Sequence, residues 1–183
     1  MDYLQKLNYH FKPKKGWIND PNGLVYYKGY YHVFYQHAPD FEVPWQQPMH
    51  WGHARTKDFL SWEELPVALY PDRPYDNNGC WSGTAIVKDD VLYLFYASVA
   101  EEEKTQTVSV AYSLDGIHFE KYVKNPVIDR YPADGGPIFV TLRCPFLVAS
   151  TTALWQPATP KAKRAACFYT RAATFLTGGT SAL

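Results

Sequence analysis

An internal repeat constrains this chain more than any other feature. The run Ala54-Arg55-Thr56-Lys57-Asp58-Phe59-Leu60-Ser61-Trp62-Glu63 returns 57 positions later as Ala111-Tyr112-Ser113-Leu114-Asp115-Gly116-Ile117-His118-Phe119-Glu120. In both copies a strand-like run enters an Asp-led turn and leaves through an aromatic–Glu pair. A hairpin pattern precedes each copy. Leu24-Val25-Tyr26-Tyr27 and Tyr30-Tyr31-His32-Val33-Phe34-Tyr35 flank Lys28-Gly29, and Thr84-Ala85-Ile86-Val87 and Val91-Leu92-Tyr93-Leu94-Phe95-Tyr96 flank Lys88-Asp89-Asp90. β-branched and aromatic runs on either side of a short polar linker read as β-hairpins. About four strands per unit at this period is the signature of a β-propeller blade. Two blades fit between Trp17 and about Pro126, whereas a closed ring takes about four to eight. The expected fold is all-β, a part of a propeller with about two blades.

Charge and composition narrow the function classes. Lys plus Arg and Asp plus Glu both number 18, so the formal net charge is +0. No nucleic acid or anionic membrane is expected as partner on that balance. Aromatic residues make up 17% of the 183 residues, with 15 Tyr and 6 Trp, a richness that suits β-structure and flat ligand faces such as those of sugars. Cys80, Cys144 and Cys167 form neither a disulfide framework nor a zinc pattern. The opening residues lack an apolar export segment, and no run is long and apolar enough to span a bilayer. A cytoplasmic location is the expectation.

The sharpest local motif is Trp17-Ile18-Asn19-Asp20-Pro21-Asn22-Gly23. Pro21-Asn22-Gly23 reads as a tight turn, with Pro fixing φ and Gly free to make it positive. Asp20 stands at the mouth of the first strand, either capping that turn or serving chemistry. Gln36 closes the next strand, and Trp45 and His50-Trp51-Gly52-His53 follow. Cys80-Trp81-Ser82-Gly83 occupies in the second unit the place of Asp20-Pro21-Asn22-Gly23 in the first. Equivalent positions of successive blades converge on a propeller axis, so Asp20, Trp81 and Ser82 are expected to line one funnel with Gln36 nearby. The pair His50 and His53 lacks a third ligand nearby, so no metal is expected. Glu101-Glu102-Glu103-Lys104 reads as a solvated hairpin loop.

Taken together, Trp17–Gly23, Phe34-Tyr35-Gln36, His50-Trp51-Gly52-His53-Ala54, Trp62 with Leu65-Pro66-Val67-Ala68-Leu69, and Trp81-Ser82-Gly83 resemble glycoside hydrolase family 32 over about residues 8 to 137. The family includes invertases, sucrose-6-phosphate hydrolases, inulinases and levanases. The resemblance implies a five-bladed β-propeller followed by a β-sandwich, and a retaining double displacement on β-fructofuranosides without a cofactor. It makes Asp20 the nucleophile. Asn19, Gln36 and Ser82 would hydrogen-bond the fructosyl hydroxyls. Trp45 and Trp81 would supply apolar walls, unless they pack into the core, and Pro21 and Asn22 complete the substrate-binding set. For Trp51 core packing is the favoured expectation.

The sequence then departs from the family. Neither its Arg-Asp-Pro motif nor its Glu-Cys motif, whose Glu is the general acid/base, occurs in this chain. Residues 138–183 instead form a segment rich in Ala, Thr, Pro and Lys. Ile138-Phe139-Val140-Thr141-Leu142-Arg143-Cys144 can be back-translated with codons chosen so that one added G and the shifted frame give Asp-Phe-Arg-Asp-Pro-Lys-Val. The same shift lets residues 174–180 encode His-Leu-Leu-Asn-Trp-Arg-Tyr, an echo of Asp58-Phe59-Leu60-Ser61-Trp62. The expected organisation is therefore a propeller part over 1–137 and a frameshifted tail over 138–183, with the β-sandwich missing. Two alternatives to an enzyme stay open: a non-catalytic fructoside-binding fragment and a non-functional gene product.

Overall fold

The computed structural model describes residues 11–41, 48–100 and 106–129. Every regular element among the described residues is a strand: β1 (Trp17–Tyr27), β2 (Tyr30–Ala38), β3 (His50–Thr56), β4 (Trp62–Leu69), β5 (Gly79–Lys88), β6 (Val91–Val99), β7 (Gln106–Ser113) and β8 (Glu120–Lys121). They form two four-stranded antiparallel sheets in the orders β1-β2-β3-β4 and β5-β6-β7-β8. These are the two units expected from the repeat. The Glu101–Lys104 loop, Trp45 and the 138–183 segment lie outside the described residues.

Both hairpins turn over two residues. Tyr27 pairs with Tyr30 around Lys28 and Gly29, which have φ of 46° and 83°. Lys88 pairs with Val91 around Asp89 and Asp90, at 52° and 57°. Two positive φ values in a two-residue loop give the turn whose twist matches that of its flanking strands. Lys88, expected in the linker, thus belongs to β5.

The repeat persists down to individual hydrogen bonds. Asp58 Oδ1 accepts the N–H of Leu60 at 2.9 Å and of Ser61 at 2.8 Å, while the Phe59 N–H donates to Thr56 Oγ1 at 2.9 Å. At the same offset, Asp115 Oδ1 accepts from Ile117 at 2.7 Å and His118 at 2.9 Å, and the Gly116 N–H donates to Ser113 Oγ at 2.8 Å. The local sequence builds the same turn twice because a short hydroxyl and a carboxylate two residues apart satisfy its free amides.

One face of each sheet packs against the other. Phe34, Trp51 and Leu69 from the first unit meet Leu92, Leu94, Tyr96 and Ala111 from the second in one buried cluster. At the hairpin end, the Tyr27 hydroxyl lies 2.7 Å from the Asp90 carbonyl and 2.9 Å from that of Leu114. β2 is buried from His32 to Ala38 without alternation, as a central strand covered on both faces must be.

Candidate active site

The motif around Asp20 is not a tight turn. Pro21, Asn22 and Gly23 lie inside β1, and the register explains how. Ile18 pairs with His37 and Pro21 with Tyr35, so Asn19 and Asp20 together stand opposite Gln36. A second irregularity falls between Asn22 and Val25, where Gly23 takes a φ of 55°. Two residues facing one is a β-bulge, a device that bends a strand and re-aims its side chains, common beside active sites. Pro21 is tolerated because β1 is an edge strand and needs no amide on its open side. Proline and glycine signal a turn and a bulge alike; the pairing partner in β2 decides between them.

β5 carries its own bulge at the matching place. Trp81 pairs with Ala97 and Gly83 with Tyr96, leaving Ser82 as the inserted residue. The two strands that open the sheets therefore each depart from regular pairing at the residues singled out for chemistry. Asp20 and Pro21 are exposed, Asn19 is partly buried, and Asn22 and Gln36 are buried. Trp81 and Ser82 are partly buried, and Trp81 packs against Trp17, Ala38 and Met49.

Side chains of the first sheet hold the two bulges together. Asn22 Nδ2 donates to the Asp20 carbonyl at 3.2 Å, and Asn22 Oδ1 accepts the Gly83 N–H at 3.1 Å. Gln36 Nε2 donates to the Cys80 carbonyl at 3.1 Å. The indole N–H of Trp51 donates to the Trp81 carbonyl at 3.0 Å. Trp51 is fully buried in the core between the sheets, as its core reading expects.

A buried ionic cluster secures the approach to β5. Asp76, fully buried, accepts the Tyr96 hydroxyl at 2.8 Å, Lys121 Nζ at 2.6 Å and the Arg73 N–H at 2.9 Å. Burial works against the Lys121 charge, yet the acidic groups around it, Asp72 and Asp76 among them, hold its pKa above the ordinary value. The Cys80 thiol is pushed well up, first by burial and then by Asp76, so it stays protonated and inert. None of Asp76, Tyr96 or Lys121 was singled out from sequence. The only local signal was an acid shortly before the Gly79-Cys80-Trp81 run.

The histidines of the third strand do structural work too. His50 Nδ1 lies 3.1 Å from the Pro48 carbonyl. His53 Nε2 lies 2.9 Å from His32 Nδ1, and the His53 ring stacks on Phe34 at 4.2 Å between centroids. Among the described residues no group of three or more His, Cys, Asp or Glu is arranged to hold a metal ion.

Comparison with known proteins gives this arrangement its context. The model of the glycosyl hydrolases family 32 N-terminal domain matches residues 10–170, a span that includes Asp20 and both sheets and continues into the 138–183 segment. Sucrose-6-phosphate hydrolase of Zymomonas mobilis is 46% identical over 130 residues, 68% of this chain and 25% of the relative. Levanase of Bacillus subtilis is 46% identical over 132 residues, 66% of this chain and 18% of the relative. Among solved structures, a mutant of the family 32 beta-fructofuranosidase of Bombyx mori in complex with sucrose matches with a TM-score of 0.64 and 41% identity, covering 73% of this chain and 28% of that one. Fructan 1-exohydrolase IIa from Cichorium intybus matches with a TM-score of 0.62 and 34% identity, over 69% of this chain and 24% of that one. The two sheets are thus two blades of a β-propeller, in a chain that spans about a quarter of the curated relatives it matches. On the family match and these identities, the chain belongs to glycosyl hydrolase family 32.

Proposed function

We propose that this chain carries the nucleophile half of a retaining β-fructofuranosidase site, with Asp20 as the attacking carboxylate. In such a reaction the carboxylate attacks the anomeric carbon of a fructosyl unit and forms an ester. A second carboxylic acid about 5–5.5 Å away protonates the leaving oxygen, and water then cleaves the ester. The observation that carries the reading is the paired bulges, which set Asn19 and Asp20 opposite Gln36 and bond that strand to the one bearing Trp81 and Ser82. The substrate is a β-fructofuranoside of the sucrose, sucrose 6-phosphate or fructan class. Asn19 and Ser82 contact its hydroxyls and Trp81 one apolar face.

The 183-residue polypeptide by itself turns over no fructoside. It contains no Arg-Asp-Pro and no Glu-Cys. Loss of a general acid costs about 10²–10⁴ in rate, and loss of one group stabilising transition-state charge about 10²–10³ more. The test is fructose release from sucrose, sucrose 6-phosphate and levan by the purified polypeptide and by Asp20→Asn. No release above the buffer rate is expected from either. Release by the first that vanishes in the second would overturn the inactivity while upholding the nucleophile; release unaffected by Asp20→Asn would overturn the nucleophile.

A further inference from the structure

Three side chains of blade 1 bond three residues of the four-residue run Cys80–Gly83 of blade 2. Asn22 takes the Gly83 N–H, Gln36 gives to the Cys80 carbonyl and Trp51 gives to the Trp81 carbonyl, at 3.1, 3.1 and 3.0 Å. Ser82, the inserted residue of the β5 bulge, lies between the held positions. We propose that Asn22 is a positioning residue rather than a sugar ligand, the centre of a splint with Gln36 and Trp51 that fixes the Trp81–Ser82 bulge against the Asn19–Asp20 bulge.

Both ends of the Asn22 amide are committed. Its oxygen serves Gly83 in the second blade and its nitrogen serves the Asp20 carbonyl, 3.2 Å away, in its own strand. A carboxylate of the same size would keep an acceptor for Gly83 but lose the donor for Asp20; an aliphatic side chain would lose both. Gln36 faces the Asn19–Asp20 bulge directly, and Trp51 pairs with Gln36 across the next ladder. Asn22 pairs with Phe34, two residues along β2 from Gln36, so the three side chains sit on neighbouring rungs of the sheet. β5 is an edge strand, so contacts from blade 1 are what hold its open side. At Gly83 the strand lies close against β6, where a Cβ would meet the Phe95 carbonyl oxygen at 1.9 Å.

The relevance to catalysis rests on the reading of Asp20 as nucleophile, but the geometry does not, and the test keeps the two apart. Amide hydrogen exchange of the ¹⁵N-labelled 183-residue chain reports each position without any sugar. In Asn22→Ala the Gly83 amide should exchange about tenfold faster or more, while the Val110 amide, which donates to Asn125 Oδ1 on the far side of the same sheet, stays within about threefold. Asn22→Asp, which restores the acceptor, should return Gly83 to within about threefold of the parent. Trp51→Phe, which removes the indole N–H together with part of the buried ring, should shift the Trp81 and Ser82 resonances and leave Gly83 protected. If Asn22→Ala does not fold, the Asp and Phe variants carry the test alone. Unchanged Gly83 exchange in Asn22→Ala, or an equal rise across both sheets, would overturn the splint. So would loss of Gly83 protection in Asn22→Asp, or Trp51→Phe leaving Trp81 and Ser82 unmoved.

Discussion

Four histidines of blade 1, His32, His37, His50 and His53, have their pKa lowered chiefly by burial, His53 most of all. The unfolded chain binds these protons near pH 6.5 and the folded chain only below that. In the interval the unfolded state holds more protons, so stability is full above about pH 6.5 and falls as pH falls toward the folded-state values. The urea midpoint should be level above about pH 7. Below about pH 6.5 it should drop, as the unfolding free energy falls by up to about 1.4 kcal/mol per pH unit for each histidine that stays neutral. His53→Leu should make that drop shallower; a midpoint that rises on acidification would contradict the assignment. A second substitution probes packing. A Cβ on Gly83 would meet main-chain atoms of Phe95 and Tyr96 at 1.9–2.9 Å, whereas one on Gly29 would meet nothing within 4 Å. Gly83→Ala should therefore cost about 3 kcal/mol and Gly29→Ala, strained only in φ, about 1 kcal/mol, both measured by urea titration. Neither the histidine pair nor the Gly83 contact was legible beforehand. His32 and His53 are 21 positions apart, and nothing in either neighbourhood names the other.

The turns show why a repeat diverges while keeping its geometry. Phe59 and Gly116 occupy the same place, with φ of 61° and 76°. Phe59 is 58% exposed, but a Cβ on Gly116 would lie 2.9 Å from the Tyr27 ring of the preceding blade. Gly116→Ala should cost about 1–2 kcal/mol from φ alone, plus displacement of Tyr27 from its bonds to Asp90 and Leu114. A cost no larger than that of Gly29→Ala, where a Cβ meets nothing within 4 Å, would contradict that account. The Asp76 cluster is the other device acting on whole elements. Lys121 in β8 bonds Asp76 and Asp72, tying the segment before β5 to the last strand of its sheet. Asp76→Asn should lower stability by about 3 kcal/mol, since it strips one buried partner from a charge that remains. These elements divide cleanly by legibility. The Asp-led turns and both hairpins were readable, because the residues that build them are neighbours in sequence. Pro21-Asn22-Gly23 reads as a turn from sequence because the bulges that place it inside β1 are defined by partners on β2. The sugar-facing set was readable only as a motif; the bonds that Asn22, Gln36 and Trp51 make to β5 span 30 to 61 positions.

The face of blade 1 turned away from blade 2 is lined with aromatics. Tyr26, Tyr31 and Phe59 are 59%, 40% and 58% exposed and pack in sequence as tilted rings, with centroids 4.9 and 4.3 Å apart. An apolar patch of this kind favours association, so sedimentation of the 183-residue polypeptide should show mass rising with concentration. Tyr26→Lys with Phe59→Lys should suppress the rise; a monomer at all concentrations in the parent chain would contradict the expectation. Residues 138–183 bear on the same question through the gene: we propose that they are a frame-shifted tail, since codons exist that, with one G added before codon 138, encode the Arg-Asp-Pro run absent from the chain, and the nucleotide sequence at that codon tests it. The most direct measurement is sucrose hydrolysis by a fusion in which residues 1–137 replace the matching segment of the 46%-identical Zymomonas mobilis sucrose-6-phosphate hydrolase, beside the same fusion carrying Asp20→Asn. The fusion should release fructose, and Asp20→Asn should lower the rate by a factor on the order of 10⁴ or more. A fusion whose activity survives Asp20→Asn would contradict Asp20 as the nucleophile.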